Sequence, residues 1–166
     1  MALCDELGVP EHYGVEHRMP LVPEAEELES AGRDIFERDQ RLAPNAADAY
    51  KRMRDAALAS NIQIRLVSGF RATAYQANLF RRKLDQGHTV SEILRVSAPP
   101  GYSEHHSGRA VDVTTQGCKP LEEAFAQTEA YAWLLSNARF FGFRESYPRH
   151  NRQRIAWEPW HWCYTR

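Results

Sequence analysis

Apolar positions recur at helical spacing in several stretches of the chain. From Pro23 to Asp39, Leu28, Ala31, Ile35 and Phe36 fall at i, i+3, i+7 and i+8, which predicts a helix. Pro23 suits its first turn, and Glu24, Glu26 and Glu27 complement the positive end of its dipole. A second helix is expected from about Asn45 to Ser60, burying Ala46, Ala49, Tyr50, Met53 and Ala57. A third runs from about Thr73 to Gln86 and stops at Gly87, and a short one covers Val90–Val96 before the Pro99-Pro100-Gly101 turn.

Alternation marks the strands. Ile62 to Val67 alternates apolar and polar residues and ends at Ser68-Gly69. Ala110 to Thr115 is a second strand, with Ala110, Asp112 and Thr114 on one face and Val111, Val113 and Thr115 on the other. Leu121 to Asn137 reads as a helix broken near Thr128. Phe140–Phe143 leads back to the sheet, and Arg154–Tyr164 supplies one or two final strands. Helices come first, then strands mixed with helices. That order predicts an α+β fold with a small antiparallel sheet flanked by helices. Residues 1–22, rich in Pro, Gly and His, read as an irregular arm, and 23–166 as a single domain.

Composition narrows the function classes. The 166 residues carry a net charge of -1 with 26% charged residues, which gives no basic excess for nucleic acid. No apolar run approaches the roughly 20 residues of a membrane helix. The start, MALCDELGVPEHYG, has no basic n-region and no apolar h-region. The expected location is therefore cytoplasmic, unless a leader has been trimmed or export takes another route. Cys4, Cys118 and Cys163 are odd in number and form no CxxC pair, which argues against both a disulfide framework and a cysteine zinc site.

Two segments carry candidate chemistry. In the first, His105 follows a Pro/Gly turn and Asp112 lies on the next strand, with Gly108 allowing a tight path between them. An Asp flanked by Val111 and Val113 must be paired or ligating, because an isolated buried carboxylate is too costly. Pairing with an Arg is the plain alternative. The second segment is Trp157-Glu158-Pro159-Trp160-His161-Trp162. Pro159 excludes a helical arrangement, and in a regular strand positions 158 and 161 face opposite sides. A bulge or turn at Pro159 is needed to bring Glu158 and His161 together. The three tryptophans would then wall the site, and the plain alternative is a Trp-rich core strand. Together the segments offer two imidazoles, one carboxylate and a further free carboxylate. Three protein ligands with an open fourth position describe a catalytic zinc site.

The pattern S-x-H-x-x-G-x-A-x-D (Ser103, His105, Gly108, Ala110, Asp112), followed by E-x-W-H (Glu158, Trp160, His161), resembles the VanY-like D-alanyl-D-alanine carboxypeptidases. These belong to a superfamily that includes lysostaphin-type peptidases and the hedgehog signalling domain. The resemblance runs from about Ser68 to Tyr164. It implies a hedgehog/D,D-peptidase-like fold, zinc held by His105, Asp112 and His161, and Glu158 as the catalytic base. It also implies that Ser68-Gly69-Phe70-Arg71 with Gln76 forms a substrate-binding segment, that Arg71 takes the terminal carboxylate, and that Ser103 helps hold the substrate. The implied substrates are peptidoglycan stem peptides or muropeptides ending in a D-amino acid. Arg71 follows a strand end and a Gly, where a guanidinium can grip a carboxylate bidentately.

One departure is Cys163, where the family often has Arg; a regular strand would put its thiol on the face of His161. His106 is expected to be non-ligating. Three other readings stand beside the carboxypeptidase. They are a phage-type endopeptidase, a non-catalytic zinc module and a purely structural acid–His cluster. No motif reads the residue before the cut, so D,D and L,D activity both stand; a cytoplasmic recycling role would favour L,D.

Overall fold

The computed structural model describes residues 2–166. Its centre is a four-stranded antiparallel sheet of β3 (Arg65–Ser68), β4 (Ala110–Thr114), β6 (His161–Tyr164) and β5 (Phe143–Glu145), in the order β3-β4-β6-β5. The helices are α1 (Ala2–Glu6), α2 (Tyr13–Glu16), α3 (Pro44–Ala59), α4 (Thr73–Asp85), α5 (Val90–Val96) and α6 (Glu129–Asn137). The architecture is the expected α+β arrangement, with helices flanking a small antiparallel sheet.

Strand alternation sorts the sheet's two faces. Leu66, Val111, Val113, Phe143 and Trp162 join a core with Ala46, Tyr50 and Met53 of α3 and Leu134 of α6. Asp112 and His161 occupy the opposite face and pair directly across β4 and β6. Cross-strand partners stand about 5 Å apart, so this register alone brings a carboxylate and an imidazole into reach. A bulge between Leu66 and Ser68 then sets Ser68 opposite Asp112.

The region expected as one helix from Pro23 to Asp39 is instead an extended segment and a hairpin, β1 (Glu29–Arg33) and β2 (Asp39–Leu42). Gly32 sits at φ 94 and Glu37 at φ 60, both incompatible with a helix. Asp34 organises the turn. Its buried carboxylate accepts from the Phe36 and Arg38 backbone N–H groups at 2.8 and 3.0 Å, from Arg38 Nε at 2.7 Å and from Gln40 Nε2 at 2.8 Å. Local Asp-to-backbone bonding of this kind favours turns over helices. The Glu24, Glu26 and Glu27 run, which looked like a helix start, is extended chain strapped by Val22 N–H to Gly101 O and Ala25 N–H to His106 O.

Three smaller differences concern where elements begin and end. β3 starts at Arg65 rather than Ile62, because Asn61 at φ 59 and the Ile62 N–H bond to Ala57 O terminate α3. The C-terminal stretch supplies one strand, within the expected one or two, but β6 is confined to His161–Tyr164 after an irregular run from Arg154 to Trp160. Residues 2–22, expected to be irregular, carry α1 and α2. Cys4, Leu7, Val9, Tyr13 and Met19 pack there with Ala77 and Phe80 of α4 and Ile93 of α5. This second core backs the helices that cover the Asp112–His161 face.

Candidate active site

Three side chains converge on the covered face of the sheet. His105 Nε2 lies 3.1 Å from Asp112 Oδ2, and His161 Nδ1 lies 3.0 Å from Asp112 Oδ1. One donor atom from each of the three falls within 4.8 Å of the others, and all three residues are buried. Zinc ligands at about 2.0–2.1 Å in a tetrahedron stand roughly 3.3 Å apart, so this spacing fits one small cation.

The second nitrogen of each imidazole is already engaged, which fixes the nitrogen that faces Asp112. His105 Nδ1 bonds Gly69 O at 2.7 Å, leaving Nε2 forward. His161 Nε2 bonds Glu104 Oε2 at 2.9 Å, leaving Nδ1 forward. Glu104 is in turn held by Ser146 Oγ at 2.5 Å. His105 rides on a 3-10 turn, Glu104–Ser107, that closes on Gly108 at φ 66. A Cβ at Gly108 would lie 2.8 Å from Ala43 N, so the turn can pack here only as glycine.

Glu158 reaches the same place through a turn. Its carbonyl accepts the His161 N–H at 3.0 Å, with Pro159 at the position where a fixed φ suits a β-turn. This is the irregularity the sequence required. Glu158 Oε2 stands 4.0 Å from His161 Nδ1. The tryptophans divide their roles. Trp160 lines the cavity, Trp162 packs in the core with its indole N–H on Pro159 O, and Trp157 donates to Glu145. The expected three-tryptophan wall is therefore a single one.

Arg71 lies at the cavity edge. Its Nη2 is 3.4 Å from Asp112 Oδ2 and 3.2 Å from Ser68 Oγ, and its Nη1 donates to Gln76 Oε1 at 2.9 Å. Gln76 is buried and donates to Ala98 O at 2.7 Å and Ser97 Oγ at 3.1 Å, which anchors the arginine through α4. Ser103 is buried and lines the same cavity. A cavity of about 440 Å³ unites His105, Asp112, His161, Glu158, Arg71 and Lys83. A second groove, of about 610 Å³, continues past Arg71 over the β1–β2 hairpin.

Electrostatics separate the groups. Burial pushes the Glu158 carboxyl up to about 7, with the Asp112 charge adding to it and the His161, Arg71 and Lys83 charges opposing. Asp112 behaves oppositely. Burial works upward, yet the His105 and His161 imidazoles hold it well below the usual carboxylate range. Burial would make His161 less basic, but hydrogen bonds to Asp112 and Glu104 raise it to about 10. A cation binding at Nδ1 must displace that proton. Burial lowers His105.

Some residues escaped the sequence. Glu104 carried no role in the motif, because its contact with His161 spans 57 positions. Tyr147 covers the His161 ring at 4.9 Å, and Lys83 looked like any surface lysine of a basic helix. His106 is committed on both nitrogens, with Nδ1 on Arg71 O and Nε2 accepting from Gly101 N–H, so it is no ligand. Cys163 shares the face of His161 but is buried and lines neither cavity, so its thiol is not exposed to substrate.

Residues 39–166 match the VanY D-alanyl-D-alanine carboxypeptidase family. A D-alanyl-D-alanine carboxypeptidase of Enterococcus faecalis is 31% identical over 137 residues, covering 76% of this chain and 48% of that protein. The chain thus spans about half the length of this curated relative. The structure of the LdcB LD-carboxypeptidase matches with a TM-score of 0.78 at 31% identity, over 87% of this chain and 71% of that one. A mutant of the vancomycin resistance D,D-pentapeptidase VanY, solved in complex with Zn(II), matches with a TM-score of 0.66 at 27% identity, over 88% and 82%. With its sheet, its buried His-Asp-His cluster and a family match covering most of its length, the chain belongs to the VanY D-alanyl-D-alanine carboxypeptidase family.

Proposed function

We propose that this protein is a zinc carboxypeptidase that removes a C-terminal D-amino acid from peptidoglycan stem peptides. The observation that carries the reading is the convergence of His105, Asp112 and His161 with a separate carboxylate, Glu158, in one cavity. A structural zinc site would be closed by four protein ligands, whereas three ligands beside a free carboxylate leave room for water and substrate.

His105 through Nε2, Asp112 and His161 through Nδ1 would hold the metal. Bound zinc supplies a Lewis acid that brings the pKa of water from about 16 toward about 7. Glu158, with its carboxyl raised by burial, takes the proton of the attacking water and returns it to the leaving amine. Arg71 is fixed by Gln76 and Ser68 beside Asp112, so its guanidinium can meet the carbonyl oxygen as that oxygen gains charge, as well as an anionic group beyond it. Ser103 and Trp160 line the cavity that receives the peptide. Family membership and the likeness to LdcB and VanY support a D-terminal peptide as substrate.

The test is release of D-alanine from a peptide ending in D-alanine, compared with the same peptide ending in L-alanine. Zinc-loaded protein should act on the first and not the second, and a chelator should abolish the activity. Equal release from both peptides, or release that survives zinc removal, would contradict the proposal.

A further inference from the structure

One cation in the cavity has no assigned partner. Gln76, Leu79 and Lys83 all line it, at i, i+3 and i+7 along one face of α4. Seven residues of helix span about 10 Å. The cavity is therefore bordered by two cations, Arg71 held at the Gln76 end and Lys83 at the other. Arg71 is held at the metal cluster by Gln76, Ser68 and Asp112. Lys83 is half-buried, and among the described residues its ammonium makes no hydrogen bond and no ion pair within 4.0 Å. An ammonium drawn out of water without a partner is unfavourable unless a ligand supplies one. Burial indeed lowers its pKa.

The reaction geometry says which anion that is. This step rests on the carboxypeptidase reading with Glu158 as the base. The group that protonates the leaving amine must lie on the leaving residue's side of the cut. In an exopeptidase that residue carries the terminal carboxylate, whose carbon is two bonds from the amine nitrogen, about 2.5 Å away. Of the two cations, Lys83 is the one without a commitment at the metal cluster. Lys83 and Glu158 line the same cavity. Arg71, by contrast, stands 3.4 Å from Asp112, at the carbonyl end.

We propose that Lys83 is a substrate-binding residue that receives the terminal carboxylate of the peptide, while Arg71 serves the carbonyl at the cut. The carboxylate role that the family resemblance implies for Arg71 would pass to Lys83, leaving Arg71 to the carbonyl. The rival role for Lys83 is to balance the charge of Glu158, without touching substrate.

The experiment uses zinc-loaded wild type, Lys83→Met, Lys83→Arg and Arg71→Ala. Each is assayed on a peptide ending in D-alanine and on the same peptide ending in D-alaninamide. Each is also titrated calorimetrically with a phosphinate dipeptide analogue bearing a free or an amidated carboxylate. Lys83→Met should raise KM for the free acid about 10–100-fold, the scale of a lost charge-assisted hydrogen bond. It should cost the amide less than threefold and erase the preference of the phosphinate site for the acid. Lys83→Arg should restore most of that preference, and Arg71→Ala should lower kcat on both peptides. An equal loss on acid and amide in Lys83→Met, or an undiminished acid preference, would overturn the role and point to charge balance instead. If wild type releases D-alanine from neither peptide, the carboxypeptidase reading fails and the Lys83 assignment falls with it.

Discussion

Replacing Glu158 with Gln should make the chelator-treated protein more stable while destroying its activity. The Glu158 side chain is only 14% exposed, and burial raises its carboxyl from the ordinary 4.5 to about 7. Its folded-state pKa thus lies above the unfolded one. The favourable contribution of the protonated form is fully present below about pH 4.5 and is lost as pH rises through about 7. At about 1.4 kcal/mol per pH unit, ionised Glu158 costs the fold about 3 kcal/mol at pH 8. Gln keeps the shape and stays neutral. Urea unfolding of the two chelator-treated proteins at pH 4.5 and pH 8 measures the difference. Wild type and variant should be close at pH 4.5, and the variant should be the more stable by up to about 3 kcal/mol at pH 8. Zinc should narrow the gap, because a bound dication favours the ionised carboxylate. Turnover should fall by about 10²–10⁴-fold, the usual worth of a general base. A stability difference that does not change between the two pH values would refute the claim that this carboxylate is held at a cost.

Other perturbations probe the scaffold and the metal. Gly108→Ala forces a Cβ onto φ 66 and to within 2.8 Å of Ala43 N, so it should lower stability by about 2 kcal/mol or more in urea unfolding and weaken zinc binding through His105. Zinc affinity, read by competition with a chromophoric chelator, should rise about tenfold per pH unit between about 6 and 8, because the His161 proton held up to about 10 must leave; a flat profile would show that His161 is not displaced. Tyr13→Ala should cost about 3–5 kcal/mol, since this ring is buried in the core that backs α4, and a loss under about 1 kcal/mol would make residues 2–22 a mere appendage.

The elements that hold the site were mostly readable because their signals are local. α3, α4 and α5 declare themselves by apolar spacing and by stops such as Gly87 and the Pro99-Pro100-Gly101 turn, and the β4 pattern around Asp112 is plain alternation. The Pro159 turn was deducible because two functional side chains three apart cannot share a strand face. What the sequence hid depends on distant partners. The apolar spacing of Leu28, Ala31, Ile35 and Phe36 mimicked a helix, while the outcome was decided by Gly32 and by the four hydrogen bonds that converge on Asp34. The pairing of Glu104 with His161 and the placing of Lys83 in the cavity of Glu158 are products of tertiary packing, and no spacing rule encodes them.

The central claim concerns one bond in one class of peptide. Mass spectrometry of products from matched tetrapeptide and pentapeptide stem substrates, incubated with zinc-loaded protein, tests it most directly. Loss of a single C-terminal D-alanine from one or both is the expected result, and the pair also reads the residue before the cut. Intact substrates, or fragments from an internal cut with the D-alanine end retained, would contradict it.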